Sequence, residues 1–264
     1  MTTSIHSVAA HGYASAGTVY EQGRPSYPAD AIACLVEVLG ITAAIRVLDV
    51  GAGTGKLTQL LRPTAAQLVA VEPVAQMRNT FAQLLPDVWL AGGVAEALPL
   101  RDQSVDVIVA GTCFHWFDGP VALREIHRVL RPGGRLGLIW NARDLSVDWV
   151  RRLVDLVGTY MRGDPPRYEG SGAWRAPFET TTLFTPLEER HFPFAHEGDK
   201  QMVLKRVRST SFIGALPADE RERALTQVEQ LLDSHPDTQG RQTVSLPYVS
   251  DVYWCTRREE HFPS

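Results

Sequence analysis

The sequence predicts an α/β fold: a doubly wound, mostly parallel seven-stranded sheet with a cap region placed toward the C-terminus. Three observations predict it. Between residues 45 and 140, short apolar runs alternate with segments whose apolar residues recur at helical spacing, the pattern of βαβ units joined by right-handed crossovers. The first apolar run, Val47-Leu48-Asp49-Val50, leads into glycines at alternate positions, Gly51, Gly53 and Gly55. The second, Gln67-Leu68-Val69-Ala70-Val71, ends at the acid Glu72.

Taken in order, residues 1–12 are small and polar, and an aromatic and proline-rich stretch (Tyr13, Tyr20, Arg24, Pro25, Tyr27, Pro28) precedes a helix over 29–40. Strands are expected at 45–50, 67–71, 87–91, 105–110 and 135–140, with helices at 56–62, 74–84 and 120–130 between them. Residues 158–177, rich in Gly and Pro, read as a loop, and 183–195 as a strand or strand pair. Helices follow at 199–208 and 217–234, the second opened by Pro217 with Asp219 and Glu220 in its first turn. Residues 243–246 and 249–256 read as two strands joined around Pro247-Tyr248.

A chain of 264 residues buries one substantial core, with or without a cap. Hydrophobic content of 44% with 21% charged residues excludes the disordered and collagen-like classes. A net charge of −4 gives no electrostatic reason to expect a nucleic-acid partner, and the basic run Lys205-Arg206-Val207-Arg208 reads as a solvated helix face. Cys34, Cys113 and Cys255 are too scattered for a disulfide framework or a zinc site, so no metal is expected and a reducing, cytoplasmic setting fits. No basic-then-apolar leader and no long apolar span points to a membrane.

The glycines sit in a strand-to-helix turn, where glycine supplies positive φ or lets a ligand reach bare backbone. A P-loop requires Gly-x-x-x-x-Gly-Lys-Ser/Thr; here Gly51 stands one residue too close to Gly55-Lys56 and Leu57 replaces the hydroxyl. A dinucleotide fold requires Gly-x-Gly-x-x-Gly, but Lys56 or Thr58 occupies the third glycine position in either register. The remaining candidate is S-adenosylmethionine, a ribose without phosphate whose site is preceded by an acid, here Asp49. Glu72 at the tip of the second strand suits the ribose hydroxyls.

Asp49-x-Gly51-x-Gly53-x-Gly55, Val71-Glu72-Pro73, Ala95-Glu96-Ala97-Leu98-Pro99, Asp106-Val107-Ile108-Val109, Phe114-His115-Trp116 and Leu130-Arg131-Pro132-Gly133-Gly134 recur in one order over residues 13–140. In these motifs the chain resembles the class I S-adenosylmethionine-dependent methyltransferases, in the small-molecule branch often labelled type 11. The resemblance implies a Rossmann-like fold, the cofactor S-adenosylmethionine and a small-molecule acceptor, methylated on a carboxylate or hydroxyl. It also implies four regions: a lid or strap over 1–40, a cofactor-binding core over 41–142, a substrate cap over 143–241 and closing strands over 242–264, in a monomer or homodimer. A non-catalytic module that binds a nucleotide or S-adenosylmethionine is the alternative.

The resemblance further implies residue roles. Pro73 and Met77 would pack on the adenine, although Met77 alone reads equally as core filler. Many relatives carry an acid where this chain has Val94, so recognition of the adenine edge would fall to the backbone of Val94 and Ala95, with Glu96 either orienting that loop or solvated. Ala110 and Gly111 would form the floor under the methionine part. Tyr20 and Arg24 lie in a Tyr-x-x-x-Arg-Pro-x-Tyr-Pro segment that covers the cofactor in the family; an N-terminal strap is the plain alternative.

His115 is the candidate catalytic residue: a general base, an acceptor anchor, or a structural histidine between aromatics. A carboxylate acceptor would need no base. Trp140, Trp174, Phe178, Phe212 and Trp254 are candidate lining for the acceptor pocket. Asp164-Pro165-Pro166-Arg167 resembles the Asp-Pro-Pro-aromatic motif of amino-directed methyltransferases but lies far from the fourth strand, and no Pro-Cys nucleophile is present.

Overall fold

The computed structural model describes residues 24–162 and 172–259. Strands β1 (Arg46–Val50), β2 (Gln67–Val71), β3 (Trp89–Ala91), β4 (Val105–Gly111), β5 (Leu130–Arg143), β6 (Glu188–Gly198) and β7 (Val244–Thr256) form one sheet in the order β3-β2-β1-β4-β5-β7-β6. The pairs among β1 to β5 are parallel, while β7 runs antiparallel to both β5 and β6. The strand order reverses between β1 and β4, which opens the crevice at their C-terminal ends where α/β sheets bind ligands.

Helices α1 (Ala29–Leu39) and α2 (Lys56–Leu61) cover one face of the sheet, packing on Val47, Val107, Val109 and Ile139. The other face meets α4 (Gly119–Val129) through Leu48, Val50, Ile108, Leu136 and Leu138. Burial on both faces explains why these strands read as continuous apolar runs rather than alternating ones. Between them in sequence, α3 (Ala75–Leu84) packs Phe81 and Leu85 beside Ala70.

The second half departs from expectation in three places. No element was expected over 148–158, which forms α5 (Asp148–Gly158), burying Trp149, Val150, Leu153 and Val157. The C-terminal part of the expected loop 158–177 is a 3-10 turn (Ala173–Arg175) that runs into α6 (Ala176–Thr180). Of the two readings of 183–195, a strand or a strand pair, the structure has the single strand, β6. Residues 243–256 form one strand, not two. Pro247 is tolerated inside β7 because its carbonyl faces Asp144 N (3.1 Å) just past the end of β5. The N–H and C=O of one strand residue share a side, so its missing donor also faces Asp144, beyond the last β5–β7 pair, and the ladder to β6 loses no bond.

Helices α5, α7 (Lys200–Arg208), α8 (Ser211–Gly214) and α9 (Ala218–Ser234) enclose a second apolar cluster with Leu246 and Tyr248 of β7. Val203 and Val207 place α7 in it, and Val228 and Leu232 place α9. Among the described residues no helix is long and apolar enough to cross a membrane.

Candidate active site

The turn after β1 is held in shape by backbone. Gly51 N and Ala52 N both donate to Val71 O (2.8 and 3.2 Å), tying the turn to the end of β2. Gly51, Gly53 and Gly55 all adopt positive φ, +68°, +59° and +93°, a conformation that favours glycine. Their surroundings differ. A Cβ on Gly51 would meet Cys113 Sγ at 2.9 Å, and one on Gly53 would stand 3.7 Å from Met77 Sδ. A Cβ on Gly55 would strike Leu85 Cδ1 at 2.6 Å and Phe81 Cδ2 at 2.8 Å, so this glycine serves the packing of α2 on α3.

Asp49 points inward one residue before the turn and is 2% exposed. Its Oδ2 accepts from Thr58 Oγ1 at 2.6 Å, whereas Oδ1 is buried with no hydrogen-bond donor among the described residues. Burial pushes this carboxyl up to about 7, against the lowering effect of Thr58 and with help from the charge on Glu72.

Glu72 accepts from Gly53 N through Oε2 (2.9 Å) and from Val74 N through Oε1 (2.8 Å), bracing the turn against the loop into α3. Burial raises its pKa, and the Val74 and Gly53 amides oppose the rise. Arg78 Nη1 donates to the carbonyls of Glu72 and Pro73 (2.8 and 2.7 Å), fixing that backbone. Val94 and Ala97 close a tight turn with Ala95 buried between them. Glu96 is not merely solvated, since its Oε1 accepts from Asp118 N (2.7 Å) at the start of α4.

At the end of β4, Ala110 is core and Gly111 lies beneath Tyr27, whose Oη would be 2.8 Å from an added Cβ. Tyr27 Oη and Thr112 Oγ1 share a hydrogen bond of 2.9 Å. Thr112 has φ +54°, a strained setting for a β-branched residue. The segment 24–27 therefore crosses the C-terminal edge of the sheet. Lys56 Nζ donates to Arg24 O (3.0 Å), and Asn141 Nδ2 donates to Ser26 O (3.2 Å). Tyr20 lies outside the described residues, as does Asp164-Pro165-Pro166-Arg167.

His115 sits in a 3-10 turn (Phe114–Trp116) after β4, its ring 4.9 Å from that of Trp116. Burial and then the charge of Arg24 lower its pKa to about 3, so the imidazole is neutral at physiological pH. Cys113 is no nucleophile here: its Sγ donates to Val50 O (3.2 Å), and burial pushes the thiol well above its ordinary value.

A cavity of about 320 Å³ brings together Asp49, Gly51, Gly53, Gly111, His115 and Arg24. Gly55, Glu72, Pro73, Met77, Val94, Ala95, Glu96 and Ala110 are not among its lining residues. The buried Asp49 oxygen without a donor and the bare glycine turn beside it fit a cationic ligand.

Comparison with known proteins settles the family. The methyltransferase-domain family matches residues 48–138. An uncharacterized methyltransferase of Mycobacterium tuberculosis is 39% identical over 241 residues, 90% of this chain and 92% of the relative. The chain belongs to the methyltransferase family. A malonyl-[acyl-carrier protein] O-methyltransferase of Methylococcus capsulatus is 42% identical over a shorter stretch of 97 residues, 34% of this chain and 35% of that relative. The fold is shared with the YcgJ protein of Bacillus subtilis, with a TM-score of 0.57 at 22% identity, over 88% of this chain and 99% of that one.

The methyltransferase cavity also contains residues that the motifs do not announce. Of the expected pocket aromatics, Trp174 and Phe212 line it, joined by Trp116, Tyr248 and Tyr253. Trp140 and Phe178 are instead core residues packed with Trp174 and Phe114. Strand alternation sends Trp254 to the α1 face, under Arg190. Arg206 is not part of a solvated face. Three residues after buried Val203 and next to buried Val207, it reaches the cavity and donates through Nε to Tyr248 Oη at 3.1 Å. Asn141 and Arg143 line the cavity from the end of β5. The signal for these two was available: polar residues follow an apolar strand on the ligand side of the sheet.

Proposed function

We propose that this methyltransferase transfers the methyl group of S-adenosylmethionine to an oxygen of a small-molecule acceptor, a carboxylate or a hydroxyl, held in the cavity over the strand ends. The observation that carries this reading is Asp49 Oδ1, a buried carboxylate oxygen without a donor among the described residues, beside a left-handed glycine turn. S-adenosylmethionine, when bound, supplies a methyl on a cationic sulfonium. In this reading Asp49 and the backbone at Gly51, Gly53 and Gly55 bind its cationic half, over a floor made by Ala110 and Gly111. Glu72 takes the ribose with the lone pairs that Gly53 and Val74 leave open. Pro73 and Met77 pack on the adenine, and Val94 and Ala95 meet its edge from a loop oriented by Glu96. Tyr20 and Arg24 belong to the covering segment. Residues 41–142 then form the binding core, and 143–241 the acceptor cap.

Among oxygen acceptors, His115 favours a carboxylate. A neutral imidazole whose pKa is lowered to about 3 is a poor proton acceptor, and a carboxylate has no proton to lose at neutral pH. His115 then anchors the acceptor rather than deprotonating it. The O-methyltransferase among the relatives supports the same atom. Isothermal titration is expected to show binding of S-adenosylmethionine and none of NADH; the reverse result ends the reading. Incubation of a metabolite extract with methyl-labelled S-adenosylmethionine identifies the acceptor. Alkali-labile label released as methanol marks an ester, stable label on oxygen an ether, and label on nitrogen or carbon overturns O-methylation.

A further inference from the structure

We propose that Arg143, together with Arg206 and Tyr248, forms an anion-binding subsite at the cap end of the cavity, and that the acceptor carries a fixed oxyanion group there, away from the atom that is methylated. The assignment of that anion to the acceptor rests on the proposed function; the anion site itself rests on geometry alone.

Arg143 ends β5 directly opposite Tyr248 on β7, and both residues line the cavity. Its Nε and Nη2 are buried with no hydrogen-bond acceptor, and its guanidinium forms no ion pair, among the described residues. A guanidinium with two such nitrogens lacks its natural complement on that edge, since a planar N–H pair matches the two oxygens of a carboxylate or phosphate. Three other cations on the cavity are already answered. Arg175 pairs with Glu189 (2.5 Å), Arg162 with Glu220 (2.6 Å), and Lys56 donates to Arg24 O (3.0 Å). Asp251, the other carboxylate lining the cavity besides Asp49 among the described residues, is engaged by His191 at 2.7 Å.

The second guanidinium converges on the same point. Arg206 donates to Tyr248 Oη at 3.1 Å and approaches the hydroxyls of Ser209 and Thr210, each at 3.4 Å. Burial alone would raise the Tyr248 phenol, but the charges and hydrogen bonds of Arg206 and Arg143 more than offset it and leave the pKa lowered. Two positive groups around one neutral phenol create a local field that an oxyanion would complete.

Position decides what the anion is for. Gly111 lies opposite Ile139, and Arg143 stands four residues further along β5, about 13 Å at the usual strand rise. The anion site is thus well removed from Asp49, which suits an anchor for a distant part of the acceptor and not for the reacting oxygen.

The test is titration of the purified protein, with and without saturating S-adenosylhomocysteine, using inorganic phosphate and, separately, acetate. Wild type is expected to bind one anion saturably and not to bind neutral acetamide. R143Q is expected to weaken that binding at least tenfold and R143K to recover part of it, with S-adenosylhomocysteine affinity unchanged in both. Preference for phosphate assigns a phosphoryl group to the acceptor, and preference for acetate a carboxylate. Undiminished anion binding by folded R143Q overturns the site, as does failure of wild type to bind either anion. Should R143Q fail to fold, R143K and the acetamide control decide. Loss of S-adenosylhomocysteine binding by wild type instead refutes the proposed function, and the titration on free protein still reads the anion site.

Discussion

Thr58 Oγ1 donates to Asp49 Oδ2 at 2.6 Å and leaves Oδ1 as a buried carboxylate oxygen without a donor among the described residues. In the proposed function this half-satisfied acid meets the cation of the cofactor. Because its pKa stands at about 7 in the ligand-free protein, binding a cationic cofactor must draw the carboxyl into its ionised form. Affinity for S-adenosylmethionine is expected to fall as pH drops below about 7, by up to roughly tenfold per unit. Asp49→Asn is expected to remove that dependence and weaken binding by about 1.5–3 kcal/mol. Isothermal titration at a series of pH values checks both, and an equal slope in the two proteins excludes Asp49 from the cation site.

In the ligand-free protein the same group links stability to pH in the opposite sense. A carboxyl raised on folding contributes stability that is complete below its unfolded value of roughly 4 and lost as pH rises through about 7. Thr58→Val removes the bond that opposes the rise, so the midpoint of the pH-dependent affinity is expected to move upward. Thermal melts of wild type and Asp49→Asn against pH isolate the contribution as the difference between the two curves.

Gly55 and Gly133 share positive φ, +93° and +71°, but differ in space: a Cβ at Gly55 strikes Leu85 and Phe81, and one at Gly133 meets nothing within 4 Å. Gly55→Ala is expected to cost roughly 2–5 kcal/mol, the sum of backbone strain and overpacking. Gly133→Ala is expected to cost only the strain, about 1–2 kcal/mol. Urea denaturation of the two variants measures the gap, and equal losses would show that α3 yields to the added methyl.

For His115, a pKa lowered to about 3 by burial and Arg24 leaves no imidazole limb between pH 5 and 8. His115→Gln is expected to share the wild-type pH profile and to raise KM more than it lowers kcat. A loss of kcat of roughly 10²–10⁴ with disappearance of an acidic limb would instead make His115 a general base.

The sequence by itself determined the first half of the molecule. Val47 to Gly55 contains its own instructions: an apolar run buried on both faces, an acid, and glycines at the positions where φ is positive. The order β1 to β5 and the helices between them follow from periodicity that acts over a few residues. Tertiary structure alone decided where β7 goes, because its antiparallel pairing with β5 joins segments over a hundred residues apart, and it allowed Pro247 inside a strand by turning the missing donor toward Asp144, past the end of β5, and away from β6. It also decided the chemistry of the charged groups. The displaced values of Asp49 and His115 come from burial and from Thr58, Glu72 and Arg24, and the Arg143, Arg206 and Tyr248 cluster is drawn from a parallel strand, a cap helix and the final strand. Spacing along a chain fixes backbone geometry, whereas desolvation and charge are properties of neighbours in space, which only the assembled fold supplies.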